Sequence, residues 1–244
     1  MITYEALQTD RRQFLALTGL TLSEFQLLLT VFPQAYRQLY AANHTAEGQP
    51  RQRSVGGGCK GRLEQPEDKL LFILVYLKTY PLQAVMAEIF DLSQPRVNHW
   101  IHRLLPVLRL ALDDSGVLPE RDPSHFAQGP CASGKAPRLI IDATERRRQR
   151  PKNPEKQALF YSGRKKKHCD KNVVIVNTRG QRIDYLSQTY PGKTHDNKIA
   201  DEEGISYPPE ATLYKDSGFQ GYEPAVKKTC QAKKKATPRR THGS

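Results

Sequence analysis

The sequence has no Cys-x-x-Cys pair. Its four cysteines, Cys59, Cys131, Cys169 and Cys230, lie far apart, so neither a zinc site nor a disulfide framework is indicated and they read as reduced thiols. It also lacks any apolar run near the roughly 18 residues of a membrane span. Its start, "MITYEALQTDRRQF", carries acids early and has no continuous apolar core. A cytoplasmic protein, nucleoid-associated if bacterial, is the expectation, with no membrane partner. Acidic residues are scarce in two places: Arg146 to Lys171 holds 11 basic and 2 acidic residues, and Lys227 to Ser244 holds 7 basic and none acidic. The net charge of +13 over 244 residues is therefore concentrated in two blocks on a slightly acidic remainder. Such clustering points to a polyanion, and nucleic acid fits better than a membrane because neither block is an amphipathic apolar helix. A solvated charged face with a frayed basic tail is the plainer alternative, and it suits the tail better than the first block.

What is present divides into a helical half and a strand-led half, an α + α/β chain. Residues 1–45 read as helices: Thr21 with Glu24 three positions on is a capping box, followed by Phe25, Leu28, Leu29 and Phe32 at helical spacing. Residues 46–63, polar and glycine-rich, read as a connector; the "GGG" within it lacks the preceding strand and following lysine-serine of a phosphate loop. Residues 64–112 predict three helices. Pro66, Glu67 and Asp68 open the first, whose apolar face is Leu70, Leu71, Leu74 and Leu77; the second runs from about Leu82 to Phe90; Ser93 caps the third. Ala84, Ala87, Leu92, Val97 and Trp100 stand where a helix-turn-helix needs small or apolar packing residues, although Asp91 occupies the usual turn glycine. On that reading Arg96, Asn98, His99, His102 and Arg103 face the major groove of double-stranded DNA. The same spacing also suits a plain three-helix bundle with Trp100 in its core.

A linker at 113–137 leads to a change of period. "RLIIDAT", "QALFYSG", "KNVVIVNTRGQRIDYLSQTY" and "ATLYKDSGF" read as strands, with "NTRGQR" a hairpin turn and "HDNKIADEEG" a short helix. Asp142 and Asp216 each directly follow an apolar strand, so two widely separated carboxylates can meet at neighbouring strand ends. Magnesium takes oxygen ligands and keeps several waters, so two or three carboxylates suffice to hold it. Arg146, Arg147, Arg148, Lys165, Lys166 and Lys167 would then neutralise phosphates leading into the site. Taken alone, Asp142 reads as a turn cap; the pair with a basic flank favours metal. His195 with Asp196 can equally be an ordinary helix start, and His168 and Cys169 read as structural.

"LIIDATERRRQRP", "QALFYSGRKKKHCDKNVVIVNTRGQRID", "PGKTHDNKI" and "LYKDSGFQGY" resemble successive blocks of insertion-sequence transposases with an Asp-Asp-Glu (DDE) triad, of the insertion-sequence-five and Harbinger-like branch. "EDKLLFILVYLKTYPLQAVMAEIFDLSQPRVNHWIHRLLP" resembles the helix-turn-helix that precedes the endonuclease there. The resemblance implies an N-terminal helix-turn-helix domain followed by an incomplete ribonuclease-H-like mixed sheet at 138–226. It also implies two magnesium or manganese ions on Asp142 and Asp216, with Glu145, His195 and Asp196 as supporting residues. The implied activity is endonuclease and strand transfer at terminal inverted repeats, with a homo-oligomer left open. No glutamate follows Glu223, and "KKTCQAKKKATPRRTHGS" lacks an amphipathic period. The expectation is therefore a truncated or frameshifted product missing the third acid, with a disordered basic tail at 227–244 and exposed apolar surface near the last strand. A catalytically inactive DNA-binding repressor is the alternative.

Overall fold

The computed structural model describes residues 2–40, 61–129, 136–180 and 182–231, in two compact units dividing between Val117 and Leu118. The connector at 46–60, the linker stretch at 130–135 and the tail from 232 lie outside the described residues.

Among the described residues unit one holds six helices: α1 (Tyr4–Leu7), α2 (Arg11–Thr18), α3 (Leu22–Tyr40), α4 (Pro66–Thr79), α5 (Gln83–Phe90) and α6 (Gln94–Asp114). The capping box forms. Thr21 N–H donates to Glu24 Oε2 at 2.7 Å and Glu24 N–H to Thr21 Oγ1 at 3.3 Å, satisfying two donors at the start of α3 that the helix cannot. The face expected on α4 is too narrow. All six residues from Leu70 to Val75 are buried, whereas Leu77 is exposed, because six consecutive apolar residues cover the whole helix circumference and make α4 the central helix. It packs against α1, α2, α3 and α6. Phe14, Phe25, Phe32, Phe72 and Phe90 are fully buried in one core shared by the helices before residue 41 and those after residue 61. Two backbone donors tie the N-terminal segment to α5 and α4: Ile2 N–H to Ile89 O at 2.9 Å, and Tyr4 N–H to Asp68 Oδ1 at 2.8 Å. Trp100 is half-buried against that core rather than inside it.

Unit two is built on β1 (Arg138–Arg147), α7 (Pro154–Phe160), β2 (Tyr161–Ser162), β3 (Lys167–Asn177), β4 (Arg182–Leu186), β5 (Tyr190–Pro191), α8 (Asp196–Glu203), β6 (Thr212–Lys215) and β7 (Lys228–Gln231). β3 pairs antiparallel with β1, with β2 and, through the expected hairpin, with β4; β6 lies parallel to β1 and β7 parallel to β6. The path β4-β3-β1-β6-β7, antiparallel on one side and parallel on the other, is a ribonuclease-H-like mixed sheet. One sheet face is covered: Leu139, Ile141, Val173, Ile175 and Leu213 bury against Ile199 and Ala200 of α8. On the other, paired register sets Ile183, Val176, Ile140, Tyr214 and Cys230 in a row across five strands. Ile183 is 45% and Ile140 42% exposed, so an apolar face is open here.

Two expectations are corrected. "QALFYSG" is not one strand. Asn153 Oδ1 accepts the Lys156 N–H at 3.1 Å and Pro154 sits at the first helical position, so 154–160 is helical and only Tyr161 and Ser162 pair with β3. Nor does an irregular tail begin at Lys227. Residues 228–231 form β7, because the outer edge of β6 presents backbone groups that need partners.

Candidate active site

The two aspartates come together, but not quite as strand ends. Asp142 is the fifth residue of ten in β1, and its ladder with β3 continues from Asp142↔Val174 to Arg147↔Cys169. On the other side β6 stops at Lys215, opposite Ile141, so Asp142 stands where its parallel neighbour ends and Asp216 is the next residue on that neighbour. Both carboxylates border one cleft of about 590 Å³, with Ile140, Tyr214, Cys230 and Gln231 on its walls. Asp142 Oδ1 accepts the Ala143 N–H and Asp216 Oδ1 accepts the Gly218 N–H, each at 2.8 Å. In both residues Oδ2 has no partner among the described residues. Two carboxylates on adjacent strands, each with an open oxygen, suit a hard divalent cation that retains water. Among the described residues no group of three His, Cys, Asp or Glu side chains is close enough to hold an ion. The donor set thus fits a hydrated ion held at two points.

Glu145 is not on the same side of the strand. Side chains alternate along β1, and Glu145 turns with Ile141 towards the α8 side, where it meets a lysine that the sequence reading did not single out. Lys171 Nζ lies 3.0 Å from Asp196 Oδ1, 3.6 Å from Glu145 Oε1 and 2.9 Å from the Thr194 carbonyl. All three charged side chains are almost wholly buried, between 8% and 12% exposed. Burial alone would raise the Glu145 carboxyl. Hydrogen bonds from Cys169 and Ser162 and the charges of Lys171 and Lys165 outweigh it and hold the group below its ordinary value. Cys169 moves the other way, raised by burial and by donating to Glu145 Oε2 at 3.2 Å.

Gly218 joins this buried cluster to the exposed pair. A side chain there would place its first carbon 3.0 Å from Asp196 Oδ2 and 3.0 Å from Asp216 Oδ1. Three aspartates therefore line up: Asp142 beside Asp216 across the strand ends, and Asp216 beside Asp196 across Gly218. His195 is the N-cap of α8 and makes no side-chain cap bond. It lies with Asp196 and Gly218 on a second cleft of about 420 Å³. Glu223 is tied elsewhere, its Oε1 on Lys215 at 2.6 Å and its Oε2 on Thr229, and Lys215 holds its carboxyl below the usual range.

The basic flank is heterogeneous. Arg146 donates to Asn172 Oδ1 at 2.8 Å, and Arg148 pairs with Asp170 at 2.8 Å while lying over the Phe160 ring. Arg147 and Lys165, Lys166 and Lys167 are exposed. Lys166 adopts φ 53° in the turn between β2 and β3.

In unit one, α5 and α6 flank a turn in which Asp91 takes φ 51°. That left-handed value is what a turn glycine supplies without cost; here Asp91 also pairs with Arg62. Ser93 is the N-cap of α6 by position, but its side chain makes no cap bond. Arg96, Asn98, His99 and His102 are exposed on α6. Arg103 is not available in the same way: its Nε donates to Tyr36 Oη at 2.9 Å and its guanidinium lies 4.2 Å from the Tyr40 ring centre.

Residues 141–243 match the family model "DDE superfamily endonuclease" and residues 61–114 match "Helix-turn-helix of DDE superfamily endonuclease". The chain belongs to the DDE superfamily. No curated protein and no solved structure matches it. In this DDE chain the first match opens inside β1, one residue before Asp142, and the second spans α4 to α6. A helix-turn-helix followed by this endonuclease domain is the arrangement of a transposase, a DNA-binding protein, and DDE superfamily endonucleases use divalent metals.

Proposed function

We propose that the chain cleaves and joins DNA strands at the ends of an insertion element, with Asp142 and Asp216 holding divalent metal and α6 reading the terminal inverted repeats. The observation that carries this reading is the placement of the two carboxylates, side by side where β6 ends against β1, each with an open oxygen. Magnesium or manganese, as a pair of ions, is the metal of the proposal; bound there, it would supply the positive charge that favours an attacking oxygen and a leaving one. The chain's own residues do the rest. The rigid sheet fixes both carboxylates, the buried Lys171 fixes Asp196 beside Gly218, and Arg96, Asn98, His99 and His102 present donors and acceptors to base edges.

A second reading, a DNA-binding repressor without cleavage, draws on the two-point rather than three-point donor set among the described residues. One variant separates the two. Asp142→Asn is expected to bind an element-end duplex as the wild type does and to lose metal-dependent nicking by at least about a hundredfold. Wild-type chain that binds the duplex but never nicks it in magnesium or manganese would select the repressor reading.

A further inference from the structure

The basic residues of unit two differ in whether they are already engaged, and two unengaged cations face one cleft. Arg146, Arg148 and Arg150 each have internal partners, in Asn172, Asp170 and Gln157 respectively. Lys171 is buried between two carboxylates and Lys198 pairs with Glu202 at 3.5 Å. The side chains of Arg164 and Lys193 have no hydrogen-bond or ion-pair partner among the described residues, and both line the cleft whose floor is Thr194, His195, Asp196 and Gly218. Arg164 does more: it also borders the smaller groove, about 280 Å³, that runs from Asp142 to Glu145 along the edge of β1 beyond the end of β6. That side chain therefore stands at the junction of the space beside Asp142 and the space beside Asp196.

Its position is built into the fold. Arg164 lies in the turn between β2 and β3, and Ser162, almost wholly buried, accepts the Lys165 N–H at 3.3 Å, which fixes the tip of the turn. Gly192 fixes the segment that bears Lys193. A side chain at 192 would meet Cys169 Sγ and Phe160 O at 2.6 Å, so the segment bearing Lys193 lies directly against β3 and the end of α7.

We infer that Arg164 and Lys193 form a phosphate grip for a nucleic-acid strand, holding its backbone as it passes from the Asp142–Asp216 cleft towards Asp196. The inference rests on the reading of unit two as a DNA-cleaving domain and adds the track the strand follows. Two unpaired cations lining one cleft, together with a mostly buried carboxylate, favour a phosphodiester backbone rather than a free carboxylate ligand. Each can neutralise one backbone phosphate, while the Asp196 carboxylate in the same cleft disfavours an anion bound against it.

The test is binding of a fluorescein-labelled oligodeoxythymidine to the full chain, without metal, as a function of salt, in a background of Asp142→Asn so that no cleavage intervenes. Arg164→Ala and Lys193→Ala should each lower the slope of log affinity against log salt by ~0.7, the value for one phosphate contact to a single strand. Lys198→Ala, a control on the same helix as Asp196, should leave the slope unchanged. Both residues are exposed, and unchanged circular dichroism confirms folding. Slopes equal to the parent for both variants, in a chain whose wild type nicks duplex DNA, overturn the grip and leave the cleavage reading standing. A parent chain that does not bind the oligonucleotide, together with a wild type that does not nick DNA, overturns both.

Discussion

At the residue scale, the candidate site depends on a lysine with no role in any sequence motif. Lys171 lies in "KNVVIV", which reads as the start of a strand, and nothing in its neighbours shows that it will be buried between Glu145 and Asp196, 26 and 25 positions away. The aspartates were legible because an apolar run ending in a carboxylate is odd in itself. The lysine was not, because its partners come from two other elements. Lys171→Met leaves two buried carboxylates without the ammonium they share and should cost about 3–5 kcal/mol of stability, measured by urea unfolding. The same cluster gives the protein a weakness to acid. Glu145 has a folded value below its unfolded one, so its contribution is present above the ordinary carboxylate range and is lost as pH falls through the depressed value. Wild-type stability should therefore fall on acidification more steeply than that of Glu145→Gln, which is already weakened at neutral pH; equal slopes in urea titrations at the two ends of that range would remove Glu145 from the account. Gly218→Ala should leave the fold intact, since the clash is with two side-chain oxygens. By displacing Asp196 and Asp216 a few tenths of an ångström it should reduce nicking roughly tenfold.

At the element scale, local rules placed most helices and failed where tertiary pairing decided. The capping box before α3, the proline start of α4 and the hairpin between β3 and β4 all follow from residues close in sequence. α7 was hidden by "ALFY", an apolar-aromatic run with strand propensity that a capped start at Asn153 and Pro154 turns into a helix. β7 was hidden because nothing within "KTCQ" marks it as a strand; the open edge of β6 recruits it. Pattern reasoning also assigned Arg96, Asn98, His99, His102 and Arg103 of α6 to DNA, but Arg103 is engaged inside the helical unit. Arg96→Ala should weaken duplex binding and leave the melting temperature of the helical unit unchanged. Arg103→Ala removes the contacts to Tyr36 and Tyr40 and should lower stability by about 1–2 kcal/mol. Paired thermal melts and duplex-binding titrations distinguish the two, and a loss of binding without loss of stability in Arg103→Ala would return that residue to the groove.

At the scale of the whole molecule, division of labour was the most legible feature. The two halves differ in hydrophobic period, and the change at Arg138 coincides with the first strand of a separate core. Which face of the sheet would be covered was not legible. Alternation along β1 fixes that Asp142 and Glu145 point to opposite sides, but only the position of α8 shows that Glu145 is the buried one. The consequence is a site assembled from both sides of one strand. Asp142 and Asp216 are accessible at the cleft, while a buried, ion-paired cluster beneath holds their surroundings still. The most direct measurement is manganese binding followed by water-proton relaxation in the full chain. Wild-type protein is expected to bind the ion, and Asp142→Asn with Asp216→Asn to lose that binding while the fold persists by circular dichroism. Undiminished manganese binding in the double variant would contradict the assignment of these two carboxylates as the metal-holding pair.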